Sequence, residues 1–269
     1  MVKVKDDFIN LQTFLINNKM TINDSKTQLM TIKSKMTTNE ASFQINDVTI
    51  NTQPSMKILG VTLTPDLAFN EHLWEGKSSM TTSLNSKLAM LRKIKPYIPK
   101  KILGQVGANL INSTISYAAP LWGTTGTTNQ ARIQKLQTKG ARIITSKGWK
   151  KEKITTHRQD LLDQLNWPNV GQLIHTSTLN TTKRALDKTS SSQLNNMFTL
   201  RKPKHPRDTT APRISHKGNL NRKEDPFSAR AVEFYNELPP NLRDPNSTRV
   251  QFKSQIKKYS RTLNLLNKH

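Results

Sequence analysis

The first 65 residues combine one helical pattern with several short strand patterns. Apolar side chains recur at helical spacing near the N-terminus and predict an amphipathic helix that ends near Asn17 and Asn18. The apolar positions are Phe8, Leu11, Phe14 and Leu15. The pair Asp6-Asp7 would lie in the first turn of this helix, where carboxylates are favoured by the helix dipole.

Short segments rich in β-branched residues follow the predicted helix. They are QLMTI (28–32), SFQI (42–45), VTI (48–50) and MKILGVTL (56–63). The turn pair Asn46-Asp47 separates the second segment from the third, as is typical of a hairpin. We therefore expect a helix packed beside a small antiparallel sheet.

The middle of the chain has helical patterns. Segment 81–94 places leucines on one face and is ended by Pro96 and Pro99. Segment 100–118 forms a second helix that stops at Pro120. Its predicted apolar side consists of Leu103, Val106, Leu110 and Tyr117.

Segment 127–146 predicts a helix with two neighbouring stripes. The first stripe is apolar and consists of Ile133, Leu136, Gly140 and Ile143. The second stripe is cationic and consists of Arg132, Lys135, Lys139 and Arg142. The two stripes are offset by one residue, or about 100° around the helix. An exposed cationic stripe is typical either of a solvated face or of a surface that binds polyanions.

The last third of the chain is less regular. Basic residues and prolines are dense between residues 201 and 226, which predicts an extended or partly disordered arm that could follow phosphates. Two helical patterns follow, with apolar sides at Phe227, Ala231 and Phe234 and then at Phe252, Ile256, Tyr259 and Leu263. Either Ser247 or Thr248 is expected to cap the final helix.

Charge is concentrated in two parts of the chain. The 269 residues carry a net charge of +24, from 42 Lys and Arg against 18 Asp and Glu. Residues 77–159 contain 16 basic residues and only Glu152 as an acid, and residues 201–269 contain 16 basic and 6 acidic residues. An excess of this size repels itself unless a polyanion offsets it, so nucleic acid is the expected partner.

Composition and motifs exclude several function classes. The absence of cysteine excludes disulfide scaffolds, cysteine zinc fingers and thiol nucleophiles. No apolar run has the length of a membrane span, so we expect an intracellular protein of the nucleus or cytoplasm with no membrane partner. The histidines are too scattered for a metal site, and GTTGTT lacks the Lys-Ser/Thr of a P-loop.

Two acidic motifs invite comparison with metal-dependent enzymes. Asp6-Asp7 lacks the preceding aromatic residue of a polymerase metal site and lies in a helix pattern. Asp66, Glu75 and Lys77 follow the PD…ExK spacing of Mg²⁺-dependent nucleases, in which two acids hold the metal. That pattern is frequent by chance, so neither motif gives a complete active site, and we predict no metal ligands.

The order of segments resembles a known family. The ordered set comprises NNKMTINDSKTQLM, KILGVTLTPDLAFNEHLWEGK, a leucine helix, STISYAAPLWG, IQKLQTKGARII and DPFSARAVEFYNELPPNLRD. It resembles the region after the catalytic motif in reverse transcriptases of non-LTR (LINE-like) retrotransposons. The resemblance implies an α+β fold with the end of a palm at 1–65, a helical thumb at 66–149 and a basic post-thumb region at 150–269.

The resemblance also implies roles for individual residues. Lys26 is similar to the palm lysine near the incoming nucleotide, with Asn23 and Thr27 shaping its turn; a lysine that merely ends a turn is the alternative. KILGVTL resembles the primer-grip hairpin, whose Gly60 would allow close approach of a primer strand. Trp122, in the segment Tyr117–Gly123, is expected to pack in the core. The expected nucleic-acid contacts are Leu59, Gly60, Val61, Lys87, Arg92, Lys95, Arg132, Lys135, Lys139 and Arg142.

The sequence also departs from the family. It contains no aromatic-Ala-Asp-Asp turn, which would hold the two Mg²⁺ ions of the parent polymerase. The expectation is a fragment that lacks the N-terminal fingers and palm, binds RNA template and DNA primer, and holds no cofactor alone. A stand-alone basic RNA- or DNA-binding protein derived from a retroelement is the second expectation, and the nuclease is the third.

Overall fold

The structure is a computed structural model that describes residues 2–32, 42–45, 48–145, 156–201, 212–216 and 226–263. Helices dominate these residues, and every described strand belongs to a two-stranded antiparallel sheet. The predicted α+β class is therefore confirmed. The chain divides into two compact units, Met1–His72 and Leu73–His269. The division at residues 65 and 149 stays a prediction.

The first unit contains one long helix and two hairpins. Its elements are α1 (Val2–Asn17), a 3-10 turn (Asp24–Lys26), β1 (Ser42–Ile45), β2 (Val48–Asn51), β3 (Met56–Ile58) and β4 (Val61–Leu63). Strand β1 pairs with β2 in a register that sets Ser42 opposite Asn51. Strand β3 pairs with β4 through Met56 opposite Leu63 and Ile58 opposite Val61. Helix α2 (Asn70–Leu73) lies at the boundary of the two units.

Several details of the first unit differ from the sequence pattern. Helix α1 ends at Asn17 as predicted but begins at Val2, so the Asp6-Asp7 pair lies beyond its first turn. Leu11 and Phe14 are 49% and 59% exposed, so the predicted packing of α1 was wrong for these side chains. A periodic pattern identifies an apolar face but not its partner.

The strand predicted for segment 28–32 was also wrong. Leu29 alone forms a bridge there, a parallel one to Thr52, and its carbonyl accepts a hydrogen bond from the Gln53 amide at 2.8 Å. The β-branched pattern records a tendency to extend, whereas a strand also needs a partner along its length. The predicted turn pair Asn46-Asp47 lies outside the described residues.

The second unit is a helical assembly with one hairpin. Its helices are α3 (Met80–Ile94), α4 (Lys100–Gly107), α5 (Ser113–Ser116), α6 (Ala119–Trp122), α7 (Thr127–Thr145), α8 (Thr156–Gln164), α9 (Val170–Leu186), α10 (Ser192–Asn195), α11 (Pro226–Asn236) and α12 (Arg249–Thr262). Short 3-10 turns occur at Lys95–Tyr97 and Pro240–Leu242, and the hairpin pairs β5 (Phe198–Arg201) with β6 (Arg213–His216). Helix α9 packs against α5, α6 and α7 as well as against α11 and α12. It is therefore the common core element of this unit.

The leucine pattern of α3 is confirmed, but the pattern of the next helix needs a correction. Leu84, Leu88 and Leu91 of α3 are buried. Between α4 and α5 the backbone forms a π-helical turn, Ala108–Asn112. The residues fully buried there are Ile111 and Ile115, whereas the predicted Tyr117 is 52% exposed. A π-helical turn contains one residue more than an α-helical turn, so the buried face shifts by one position, from the predicted Leu110 to Ile111.

The C-terminal part of the second unit has its own apolar cluster. It includes Ile214, Tyr235, Leu238, Phe252 and Ile256. The helices α11 and α12 were predicted correctly, and Thr248 rather than Ser247 caps α12 in a capping box with Gln251. Residues Arg213–His216 of the predicted arm are extended as expected, but they form the strand β6, which pairs with β5 and buries Ile214. Residues 202–211 and 217–225 of the arm lie outside the described residues.

Candidate nucleic-acid interface

Helix α7 carries a row of cationic side chains along its solvent side. Arg132, Lys135 and Lys139 are exposed, and Arg142 is half-buried. We call these four residues the α7 row. It extends over about 15 Å of helix, from the helical rise per residue. A row of this length can contact several phosphates on one face of a duplex.

The opposite face of α7 is buried but polar, which corrects the predicted apolar stripe. Ile133 and Gly140 are buried as expected, whereas Leu136 and Ile143 are only half-buried. The additional buried positions are Gln134, Gln137, Thr138, Ala141, Ile144 and Thr145. Buried amides and hydroxyls need hydrogen-bond partners, so this face requires a fixed geometry.

The buried amides of α7 form a connected network. Gln137 Nε2 donates to Asn112 Oδ1 and to the Pro168 carbonyl, both at 2.8 Å. Gln134 Nε2 donates to Gln137 Oε1 at 2.8 Å, and Gln134 Oε1 accepts from the Val170 amide at 2.8 Å. These bonds tie α7 to the preceding π-helical turn and to the start of α9. They fix the rotation of α7 and hence the direction of its cationic row.

One member of the row is held by an aromatic ring. The Arg132 guanidinium carbon lies 5.4 Å from the centroid of the Trp74 ring. Trp74 Nε1 donates to Asn129 Oδ1 at 2.9 Å, one turn before Arg132. The ring is thus attached to the same helix whose arginine it supports. A guanidinium held in this way loses less rotational freedom when it binds an anion.

The basic residues predicted on α3 are in different environments. The Lys87 ammonium is half-buried and donates to the Thr114 hydroxyl. Arg92 is exposed, and Lys95 caps the C-terminus of α3 and is half-buried. Helices α3 and α7 approach closely, since a Cβ at Gly140 would lie 3.3 Å from Leu88 Cδ2. Of these three cations, Arg92 is the most accessible to a ligand.

Lys26 lies in a turn organised by the residues that the sequence pattern singled out. Asn23 Oδ1 accepts from the Ser25 hydroxyl at 2.7 Å and from the Lys26 amide at 3.2 Å. The Thr27 hydroxyl donates to the Asn23 carbonyl at 3.0 Å. The Lys26 side chain is exposed at the end of this 3-10 turn. The turn presents the lysine to solvent, and its role near a nucleotide stays a prediction.

The β3–β4 hairpin ends in a tight two-residue turn. Leu59 and Gly60 both have positive φ, 47° and 83°. This conformation is typical of a type I′ turn and is unfavourable for leucine, by about 1–2 kcal/mol. Leu59 is nevertheless 86% exposed, so no burial of its side chain offsets the strain. Val61 is buried, so of the three predicted contacts only Leu59 and Gly60 present an open surface.

The segment Tyr117–Gly123 is a packing element. Trp122 is fully buried, and its Nε1 donates to the Tyr117 carbonyl at 3.0 Å. The expectation that Trp122 packs in the core is therefore confirmed. The Arg230 guanidinium donates to the Gly123 carbonyl, and burial lowers the pKa of Arg230 from its ordinary value. This bond joins α11 to the end of α6.

The residues of the nuclease-like motif have structural explanations. Asp66 Oδ1 accepts from the Thr64 hydroxyl at 2.6 Å and from the Ala68 amide at 3.1 Å. The hydrogen bond from Thr64, followed by that from Ala68, lowers the pKa of Asp66. Asp66 thus shapes a turn, whereas Glu75 and Lys77 are exposed. The described ranges contain no group of three acidic or histidine side chains that could hold a metal ion.

A two-metal site needs several carboxylates that converge, and the residues that the structure describes bring no such group together. The only adjacent aspartates are Asp6 and Asp7, which are exposed in the middle of α1. No chemical step through a metal follows from such a pair. Among the described helices, none has the length and apolar character needed to cross a membrane.

Comparison with known proteins adds no family. No protein-family model matches the chain, and no significant match was found among curated proteins or solved structures. Sequence reasoning found the α7 row but missed Trp74 and the buried glutamines. The pairing of Trp74 with Arg132 has no local signal, since 58 positions separate them in the sequence.

Proposed function

We propose that this chain grips a template–primer duplex of RNA and DNA, as a part of a reverse transcriptase of the non-LTR retrotransposon type. The α7 row is the observation that supports this most strongly. Its cations are presented in a fixed direction by the network of Gln134 and Gln137 on the opposite face. A rigid row of this kind suits backbone contacts, which hold a duplex without reading its sequence.

The second support for this proposal is the ordered set of segments that resembles the reverse transcriptases of non-LTR retrotransposons. The exposed hairpin tip at Leu59 and Gly60 corresponds to the primer grip of that family, and Lys26 corresponds to its phosphate-proximal lysine. An exposed leucine in a strained turn is consistent with a contact made by a bound partner. Since the sequence has no aromatic-Ala-Asp-Asp turn, we expect this chain to bind primer and template without extending them.

The test compares ligands of equal length on the full chain. Fluorescence anisotropy at fixed salt should show tighter binding of an RNA–DNA hybrid with a recessed primer end than of blunt hybrid or duplex DNA. Incubation with Mg²⁺ and deoxynucleotides should give no primer extension. Equal affinity for all duplexes, or extension by contaminant-free protein, would contradict the proposal.

A stand-alone basic RNA- or DNA-binding protein is the second candidate. It is favoured by the charge of residues 201–269, which carry 16 basic against 6 acidic residues far from the α7 row in the sequence. This candidate predicts strong, salt-dependent binding with no preference for a primer end. The same titrations therefore distinguish the two candidates.

A further inference from the structure

A second cationic row lies on α12, outside the segment that the resemblance assigns to the thumb. It consists of Arg249, Lys253, Lys257 and Arg261, and we call it the α12 row. The four side chains are spaced by four residues, or about 6 Å along the helix, and all are exposed. A repeat of this kind places one positive charge on each turn.

The orientation of α12 is fixed by its contacts with α9. Phe252 and Ile256 are buried in the apolar cluster, and the Ser260 hydroxyl contacts His175 Nδ1 at 2.8 Å. Gln172 Nε2 donates to the Arg261 carbonyl at 3.3 Å and to the Leu263 carbonyl at 3.1 Å. Lys253, Lys257 and Arg261 each follow one of these buried residues directly, about 100° further around the helix, so the α12 row lies beside the buried face and borders α9.

A groove runs between α9 and the α12 row. Its volume is about 1100 Å³, larger than most clefts that hold small ligands, at about 300–1,000 Å³. All four members of the α12 row line it, together with Arg184 of α9. None of the described residues that line the groove is acidic. The charge of the groove therefore calls for an extended anionic partner.

The cations of the groove are available for a ligand. Among the described residues, Arg184, Lys253 and Lys257 have no ion pair, and no side-chain hydrogen bond. Arg249 and Arg261 make only long hydrogen bonds, to the Thr189 hydroxyl at 3.5 Å and to the Asn166 carbonyl at 3.3 Å. Lys183 differs, because it is buried and pairs with Asp187 at 2.9 Å.

The rest of the groove wall offers contacts for bases and sugars. The α9 side presents Thr176, Ser177, Asn180 and Thr181. Apolar contact is supplied by Leu121, Leu173, Met197, Phe227 and Val250, of which Val250 is 80% exposed. Within the described ranges the Asn180 amide has no partner of its own, so it can bond to a base edge or a ribose hydroxyl.

We propose that the groove between α9 and the α12 row binds single-stranded RNA or DNA, as a site separate from the α7 row. A single strand exposes phosphates on one side and unpaired bases on the other. The groove has the α12 row on one wall, and the facing wall carries its polar groups and most of its apolar groups together with Arg184. A duplex hides its bases and cannot use the second wall. The α12 row spans about 18 Å, enough for about five nucleotides, within the range of single-strand sites.

This inference rests on the proposed function only because both require that the chain binds nucleic acid. The test therefore measures single-strand binding and hybrid binding separately. The variant Lys253→Gln/Lys257→Gln removes two charges of the α12 row. We expect the salt slope of log affinity for a short unstructured RNA to fall by about 1.4, at about 0.7 for each phosphate that the variant no longer neutralises. The salt slope for an RNA–DNA hybrid should stay unchanged.

Two control variants complete the experiment. Lys100→Gln/Lys101→Gln removes two exposed charges at the start of α4, outside the groove, and should leave the single-strand slope unchanged. Lys253→Arg/Lys257→Arg should keep wild-type binding. An unchanged single-strand slope in the α12 variant, or equal decreases for single strand and hybrid, would overturn the groove proposal while leaving the α7 row intact. An acidic peptide that binds the groove more tightly than RNA would also overturn it.

Discussion

Helices α7 and α12 both present a row of cations to solvent, yet they are anchored in different ways. Half of the buried residues of α7 are polar, and the amides of Gln134 and Gln137 form a hydrogen-bonded network. The buried side of α12 is mainly apolar, with Phe252 and Ile256 in the C-terminal cluster. An apolar face tolerates small shifts, whereas an amide network holds one geometry. We therefore expect α7 to present the more rigid row.

The apolar anchor of α12 gives the largest expected effect on stability. Phe252 is 1% exposed, so Phe252→Ala removes a large side chain from the cluster and leaves a cavity. The free energy of unfolding should fall by about 3–5 kcal/mol. Chemical denaturation followed by circular dichroism measures this decrease. Val250→Ala, at an exposed site of the same helix, is the matched control, and equal small decreases for both would contradict the packing described.

The cluster under α12 should also respond to alkaline pH, because it contains a buried tyrosine. Burial raises the pKa of Tyr235 to about 12 from its ordinary value of 10.0. The folded state thus favours the neutral phenol, so its contribution is complete below pH 10 and is lost as the pH rises toward 12. The decrease in stability should reach up to about 3 kcal/mol.

Denaturation at pH 9, 10 and 11 for wild type and for Tyr235→Phe tests this expectation. The phenylalanine variant should lose less stability over this range, since other groups titrate equally in both proteins. The same alkaline decrease in wild type and variant would show that Tyr235 does not contribute.

Breaking the amide network of α7 should give the next largest decrease in the free energy of unfolding. Gln137→Leu keeps a similar volume but leaves Asn112 Oδ1, the Pro168 carbonyl and the Gln134 amide without their partner. Unsatisfied buried groups should lower the free energy of unfolding by about 2–3 kcal/mol. Gln105→Leu, at an exposed position of α4, is the control. If Gln137→Leu unfolds with a free energy within about 0.5 kcal/mol of wild type, the amide network does not stabilise the fold.

The cap of α12 gives the smallest effect. Thr248 and Gln251 form a capping box, so Thr248→Ala should cost about 1 kcal/mol. Ser254→Ala, in the exposed middle of the same helix, should cost less than the cap variant. Hydrogen exchange should localise the cap effect to the first turn of α12. Reduced protection along α7 in the same variant would contradict the separate anchoring of the two helices.

The sequence pattern predicted α1, α3, α7, α11 and α12 but missed α8, α9 and α10, and for the predicted helices it identified the buried face only in part. The periodicity of α3 and α12 identified the buried leucines of α3 and the buried Phe252 and Ile256 of α12, but it missed Met80 and Ser260. The buried face of α7 was predicted only in part: Ile133 and Gly140 are buried as expected, but hydropathy counts the buried Gln134 and Gln137 as solvent-exposed types. Only partners distant in sequence, such as Pro168 and Val170, make their burial favourable.

The candidate interface was also predictable only in part, because sequence spacing reveals local features but not contacts between distant segments. The α7 row follows directly from residue spacing, and the spacing of Arg249, Lys253, Lys257 and Arg261 would have revealed the α12 row in the same way. The groove beside α12 was not predictable, because it depends on the packing of α9 against two distant helices. The strand β6 was missed because its partner β5 lies 12 or more residues earlier in the chain.

The salt dependence of hybrid binding decides whether the α7 row holds a duplex. The affinity of the full chain for an RNA–DNA hybrid with a recessed primer end is measured from low to moderate salt, for wild type, Arg132→Gln/Lys139→Gln and the Lys100→Gln/Lys101→Gln control. We expect the α7 variant to lower the slope by about 1.8, at about 0.9 for each phosphate that it no longer neutralises, and the control to keep the wild-type slope. An unchanged slope in the α7 variant, with hybrid binding intact, would exclude the α7 row as the duplex-binding surface.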